Sequence, residues 1–129
     1  MKNIAYDTTY IPPAPSMRLH IAAPDESFQL GPFSAMIDTG ADGTFVATVL
    51  LEELDAPIIY MTNVRPHIGA NRHRAAVYKV DLYLSPSFRM AGVEVVGDDW
   101  GDGVIVGRNV LNKLKILLDG PKQMTDIVE

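Results

Sequence analysis

The sequence predicts a mainly β, barrel-like domain with one short C-terminal helix, and three observations carry that prediction. Apolar and polar residues alternate along several short segments, the period of half-buried strands. Proline, glycine and Asp/Ser clusters punctuate those segments at close intervals, as in an all-β fold. Helical spacing appears only in brief stretches, and there is neither an internal repeat nor a low-complexity tract.

The elements follow in order. Residues 1–15 are polar and proline-rich and read as an extended N-terminal arm, with any pairing at a sheet edge. Residues 16–129 form a single domain. Within it, Met17-Arg18-Leu19-His20-Ile21 alternates as a strand, and Pro24-Asp25-Glu26-Ser27 is a turn. Phe28 to Ile37 reads as one or two strands interrupted at Gly31-Pro32 and leading to Asp38. Val46, Val49, Leu50 and Leu54 have the spacing of a short helix or turn that stops before Pro57. Ile58 to Thr62 and Val77 to Leu84 are strands joined by a long polar, basic tip, together a β-hairpin. After the Ser85-Pro86-Ser87 turn come a strand from Met90 to Val96 and the acidic loop from Gly97 to Gly103. Val104-Ile105-Val106 precedes Gly107-Arg108-Asn109, a short amphipathic helix to about Leu114, and a strand from Lys115 to Leu118.

Composition narrows the function. At 129 residues the chain is long enough to bury a real core in one domain. Hydrophobic residues at 47% and charged residues at 21% are ordinary for a soluble protein. A net charge of -5 argues against a general nucleic-acid binder. The chain has no cysteine, which removes disulfides, thiol nucleophiles and thiolate metal sites and fits a reducing cytoplasm. No signal-peptide core follows Met1, and no apolar run is long enough to span a bilayer as a helix. The expectation is a stand-alone soluble protein without membrane partner.

The stretch Asp38-Thr39-Gly40-Ala41-Asp42 follows directly on the apolar run Phe33-Ser34-Ala35-Met36-Ile37. An Asp-Gly-type turn at a strand end explains such a triplet without any chemistry. The other reading is catalytic. Two carboxyl groups in contact cannot both ionise cheaply, so one retains a proton. The ionised member takes a proton from water while the other donates to a carbonyl oxygen, with no metal, cofactor or covalent intermediate. Because the triplet occurs only once, the simplest source of the pair is a symmetric homodimer with one Asp38 from each subunit.

A second block supports the catalytic reading. Ala35-Met36-Ile37-Asp38-Thr39-Gly40-Ala41-Asp42-Gly43-Thr44 and, later, Val104-Ile105-Val106-Gly107-Arg108-Asn109-Val110-Leu111 resemble the two signature blocks of the retropepsin-like aspartic proteases. The resemblance runs from about Met17 to Leu118. It implies the closed retropepsin fold with a flap hairpin, and a homodimeric endopeptidase acting on extended polypeptide. It assigns Asp38 as catalytic, with Thr39 bracing the loop across the two-fold axis and Gly40 permitting close backbone approach. Ala41 and Asp42 would contact the substrate backbone, as would Gly69, Ala70 and Asn71 of the flap. Arg108 would support the site through an ion pair to Asp42, which a planar guanidinium suits. The flap departs from the glycine-rich viral pattern, having Gly69 alone beside Ala70-Asn71-Arg72-His73-Arg74. That departure keeps open a second reading, a catalytically silent dimer that binds peptides in the same cleft.

Other features carry less. Arg65, His67, Arg72, His73 and Arg74 either favour acidic substrate segments or form a solvated hairpin tip. The loop Asp98-Asp99-Trp100-Gly101-Asp102 lacks the ligand spacing of a calcium loop and reads as a solvated turn. His20, His67 and His73 have no zinc-motif spacing. Trp100 packs at the cleft edge or, by default, forms a simple hydrophobic plug. Met124 to Glu129 alternates, as in the strands that interleave between viral subunits, or is a frayed tail beyond Gly120-Pro121.

Overall fold

The alternation at Met17, Leu19 and Ile21 forms a strand whose apolar side chains are fully buried, while Arg18 is exposed. The computed structural model describes residues 3–65, 69 and 71–128. This strand, β2 (Ser16–Ala22), follows a two-residue strand β1 (Ile4–Ala5) and precedes β3 (Gln29–Ile37), β4 (Thr44–Ala47) and helix α1 (Thr48–Glu53). The hairpin β5 (Ile58–Val64) and β6 (His73–Ser85) leads to β7 (Phe88–Asp98), β8 (Val104–Val106) and helix α2 (Arg108–Leu111). The chain ends with β9 (Lys115–Asp119) and β10 (Met124–Val128).

Six strands close into a barrel in the order β2-β3-β8-β4-β7-β6, because β2 also pairs with β6. Strand β5 extends the sheet outward from β6. The fold is therefore mainly β and closed. Leu19, Ile21, Val46, Val80, Leu82, Val95 and Val106 fill its centre. Two pairings inside the ring are parallel, β3 with β8 and β4 with β7. The first of these fixes the site, since Ile37 lies beside Val106 and the two strands end together.

Several elements differ from the sequence reading. Of the helix or turn read before Pro57, the described structure takes the helix, α1, in addition to the C-terminal helix α2. The stretch 46–54 divides into the end of β4 and helix α1, because Val46 and Ala47 enter the barrel core. Helix α1 stops where Asp55 takes a positive φ of 54. The Ala56 amide then donates to Leu51 O and the Asp55 amide to Glu52 O, closing the helix end with reversed bonds ahead of Pro57. Helix α2 is a single turn, shorter than the expected run to Leu114. The hairpin ladder reaches Val64 opposite His73, so its tip is shorter than the polar run from Asn63 to Ala75 suggested. Backbone pairing at an edge hairpin tolerates polar side chains on both faces, and the alternation signal disappears there.

The C-terminal stretch is a strand. Gly120-Pro121 lies in the turn that folds β10 back onto β9, with the Gln123 amide donating to Gly120 O. β1 pairs with the other side of β10, giving a three-stranded sheet in the order β1-β10-β9. Ile127 and Thr125 are buried beneath it. The Thr125 hydroxyl has no hydrogen-bond partner among the described residues. Thr125→Val, which keeps shape and removes the desolvated hydroxyl, is expected to leave stability unchanged or raise it by up to about 1 kcal/mol in a urea melt.

The barrel seam contains a buried carboxylate. Asp81 is 1% exposed and accepts from the Gly92 amide at 2.9 Å, the Asp25 amide at 3.0 Å and Arg89 Nε at 3.1 Å. Burial pushes its carboxyl up, but the Gly92 and Asp25 amides and the Arg89 guanidinium together hold it below the usual carboxylate range. Arg89 is itself partly exposed, so the amide bonds contribute most. Asp81→Asn leaves one backbone amide facing an NH₂ donor and is expected to cost about 2–4 kcal/mol. The pH dependence has a definite sign. A folded-state pKa below the unfolded value of about 3.9 gives stability that is full above that pH and lost as pH falls through the folded value. The gap in urea midpoint between wild type and Asp81→Asn should therefore be widest near neutral pH and shrink as pH falls through the folded value.

Candidate active site

Asp38 is the first residue beyond β3. Its amide donates to Val106 O at 2.9 Å, continuing the parallel β3–β8 ladder by one bond. The chain then turns sharply: Ala41 N donates to Asp38 O at 3.2 Å, and Gly40 N donates to Asp38 Oδ1 at 2.9 Å. The carboxylate thus has one oxygen held by the loop that carries it. Asp38 is half-buried, whereas Thr39 and Gly40 are exposed. A Cβ at Gly40 would stand 3.2 Å from Asp38 Oδ1, so glycine keeps the carboxylate where it is.

The second block holds this loop from below, and each of its three polar or small residues has a distinct task. Gly107 is buried against the backbone of Gly43 and Ala41. The Arg108 amide donates to Ala41 O at 2.8 Å, and its Nη1 donates to Thr39 O at 2.9 Å. Asn109 Oδ1 accepts from the Thr44 hydroxyl at 2.7 Å, and its Nδ2 donates to Glu94 O at 2.9 Å. The Thr44 oxygen in turn accepts from the Gly107 amide at 3.1 Å. Thr44, fully buried, was not singled out in the sequence; a hydroxyl residue just past a glycine turn is its only signal there.

Arg108 reaches the loop by a route other than the expected one. Its guanidinium meets a carbonyl, and the ion pairs among the described residues do not include one to Asp42. With its own amide clamped to Ala41 O, the side chain runs back along the loop toward Thr39.

Above the loop lies a cleft of about 360 Å³. Asp38, Gly40, Ala41 and Asp42 line it from the loop, and Phe45 and Ile105 from the barrel. The hairpin contributes Val64, Arg65, His73, Arg74 and Ala75, while Asp98, Asp99 and Trp100 close the far side. Gly69 and Asn71 are not among the lining residues, and Ala70 and His67 lie outside the described residues. Among the described residues the hairpin meets the cleft through its arms. Val64 and Ala75 were not assigned to the cleft because they fall in the run read as a polar tip, and Phe45 and Ile105 because an apolar strand residue does not show which face it takes.

Trp100 is 78% exposed, so it is a cleft wall and not a buried plug. Its ring lies against His73, with centroids 4.9 Å apart and planes inclined at 40°. This contact joins the hairpin to the acidic loop. That loop is ordered by its own bonds: Asp98 Oδ1 accepts from the Trp100 and Gly101 amides, and Asp99 Oδ1 from the Thr48 hydroxyl. Among the described residues no group of three or more His, Asp or Glu side chains is gathered in the manner of metal ligands. No helix among them is long and apolar enough to cross a membrane.

No protein-family model matches the chain, nor does any curated protein. Solved structures do. A retropepsin-like aspartic protease from Rickettsia conorii superposes with a TM-score of 0.63 at 14% identity, over 97% of this chain and 87% of that one. The EIAV protease, in complex with the inhibitor HBY-793, gives a TM-score of 0.57 at 17% identity, over 85% of this chain and 93% of that one. At these identities the likeness speaks for the fold, and it covers nearly the whole of each chain. The closed six-strand barrel is the fold of the retropepsin-like aspartic proteases.

Proposed function

We propose that this chain is an aspartic endopeptidase, acting as a homodimer in which each subunit supplies one Asp38. One observation carries the reading. The half-buried carboxylate of Asp38 faces the cleft from a loop whose next two residues, Thr39 and Gly40, are exposed, whereas the half-buried Asp98 there is occupied by the Trp100 and Gly101 amides. That is half of a two-carboxylate site. Bringing a second copy against the exposed loop supplies the other half.

In the assembled site the two Asp38 side chains share one proton, since like charges in contact cannot both persist. The ionised member draws a proton from a water, which attacks the peptide carbonyl. The other donates its proton to the carbonyl oxygen, and no metal or cofactor enters the step. Thr39 braces the paired loops, and Gly40 keeps the floor clear. Ala41 and Asp42 bind the substrate backbone beside the scissile bond, and Gly69, Ala70 and Asn71 bind it from the hairpin. Arg108 supports the loop from beneath. The substrate is an extended polypeptide taken as a strand under the hairpin. The cysteine-free composition suits work in a reducing cytoplasm.

The second reading, a silent peptide-binding dimer, is favoured by a hairpin tip with one glycine, which departs from a freely closing flap. Incubation of the wild-type protein with a diverse unfolded peptide mixture, from about pH 4 to pH 7, separates the two. New peptide termini in mass spectra are expected. A well-folded dimer that binds peptides and cleaves none at any pH in that range would establish the silent module instead.

A further inference from the structure

We propose that the hairpin builds a carboxylate-binding compartment beside the cleft, in which Arg65 and Arg72 hold an acidic side chain of the peptide substrate. The proposal rests on the endopeptidase reading above and deepens it by naming a class of substrate.

A second cavity, of about 350 Å³, is lined by Asp42, Phe45, Asn63, Val64, Arg65 and Arg72. Asp42, Phe45, Val64 and Arg65 also line the main cleft, so the two spaces adjoin. A peptide lying over Asp38 therefore has room to turn a side chain into the second.

The hairpin register places the two arginines. Val64 opposite His73 is the last pair of the ladder, and Arg65 and Arg72 are the next residues outward, one on each arm. Both are exposed. Like charges at facing positions of a hairpin repel. Asp42 is the only carboxylate lining this cavity among the described residues, and it forms no ion pair there with either arginine. Two guanidiniums against one carboxylate leave a positive charge in excess. A carboxylate arriving with the substrate neutralises it. Each guanidinium fork can meet that group through two parallel hydrogen bonds, and the forks approach from opposite arms. Phe45 and Val64, both half-buried, offer the methylenes of the incoming side chain an apolar wall.

The main cavity has the opposite bias. Asp38, Asp98 and Asp99 line it and not the second cavity, against Arg74 and His73 on the hairpin. An acidic side chain is repelled there and accepted beside it, and such opposition fixes the register of a bound peptide. In the homodimer the two-fold axis repeats the compartment on the other side of the scissile bond.

The test uses the full-length protein. A digest of a diverse unfolded peptide mixture is expected to show Asp or Glu enriched at one fixed position on each side of the cleaved bonds. For a peptide with Glu at that position and its Gln twin, wild-type kcat/KM should differ by about fivefold to tenfold. Arg65→Gln combined with Arg72→Gln is expected to bring the ratio to about one. Arg65→Glu combined with Arg72→Glu should favour a Lys twin instead. A ratio between twins cancels any general loss of activity, so a purely structural role for the arginines would not move it. The digest needs no variant and stands even where a double variant fails to fold. Cleavage that depends on Asp38 but has no acidic preference would overturn the compartment and leave the protease reading standing. So would a preference that the substitutions leave unchanged. Should the wild type cleave nothing, fluorescence anisotropy with a labelled Glu-rich peptide and its Gln counterpart takes over. Tighter binding of the Glu peptide, lost with the paired Gln substitutions, would keep the compartment in a silent module and discard the protease. Equal binding of the two peptides, or none, would discard both.

Discussion

Asp38→Asn is expected to abolish peptide cleavage, lowering it by about 10⁴-fold or more, while the protein stays folded and dimeric. An amide can neither take a proton from water nor give one to the carbonyl oxygen at working pH, and the substitution removes both members of the pair at once. The fold has little reason to respond. The Gly40 amide can still donate to the side-chain oxygen of asparagine, and Asp38 makes no ion pair among the described residues. Thermal melts of the variant should lie within a few degrees of wild type. Mixing provides a sharper readout. Heterodimers with one aspartate and one asparagine have half a site, so added variant should suppress wild-type activity beyond simple dilution. Persistent cleavage by the purified variant would place the chemistry elsewhere.

Gly107→Ala is expected to disrupt both stability and site. A Cβ at this position would lie 2.0 Å from Gly43 O, 2.6 Å from Gly43 C and 2.9 Å from Ala41 O. These are backbone atoms, which have no rotamer to give way. The backbone angles of Gly107, φ -101 and ψ -173, suit any residue, so glycine is required here by space and not by conformation. Relief demands that the Ala41–Gly43 backbone move off the turn, breaking the bonds from Arg108 and from the Gly107 amide. The cost should be about 3 kcal/mol, at the upper end for overpacking, read as a shift in urea midpoint. Cleavage should fall further than stability predicts, because the segment displaced is the one carrying Asp38.

These expectations show what was legible in the chain. The two blocks that build the site are local and read directly: an apolar strand that ends in Asp-Thr-Gly, and another that ends in Gly-Arg-Asn. The partner of Arg108 was less visible, because a guanidinium has several acceptors within reach and only the folded loop presents a carbonyl first. The hairpin is similar. Its strands were recognised by alternation, but among the described residues those that face the cleft include Val64 and Ala75, which the sequence reading left in the polar tip. Asp81 gave no signal at all as a buried carboxylate, since its amide donors come from Asp25 and Gly92, remote in sequence.

The sequence by itself determined the mainly β fold class, most of its strands and the identity of the candidate carboxylate. Side-chain alternation, turn residues and capping are properties of neighbouring residues, and neighbours are what a sequence lists. Only the tertiary structure decided closure of the barrel through β2 and β6, the parallel pairing that sets Asp38 beside Val106, and the return of β10 onto β9. Each is a contact between distant segments, chosen because it buries apolar faces and satisfies backbone groups together. That choice is made by the whole chain at once, and no window of neighbouring residues contains it.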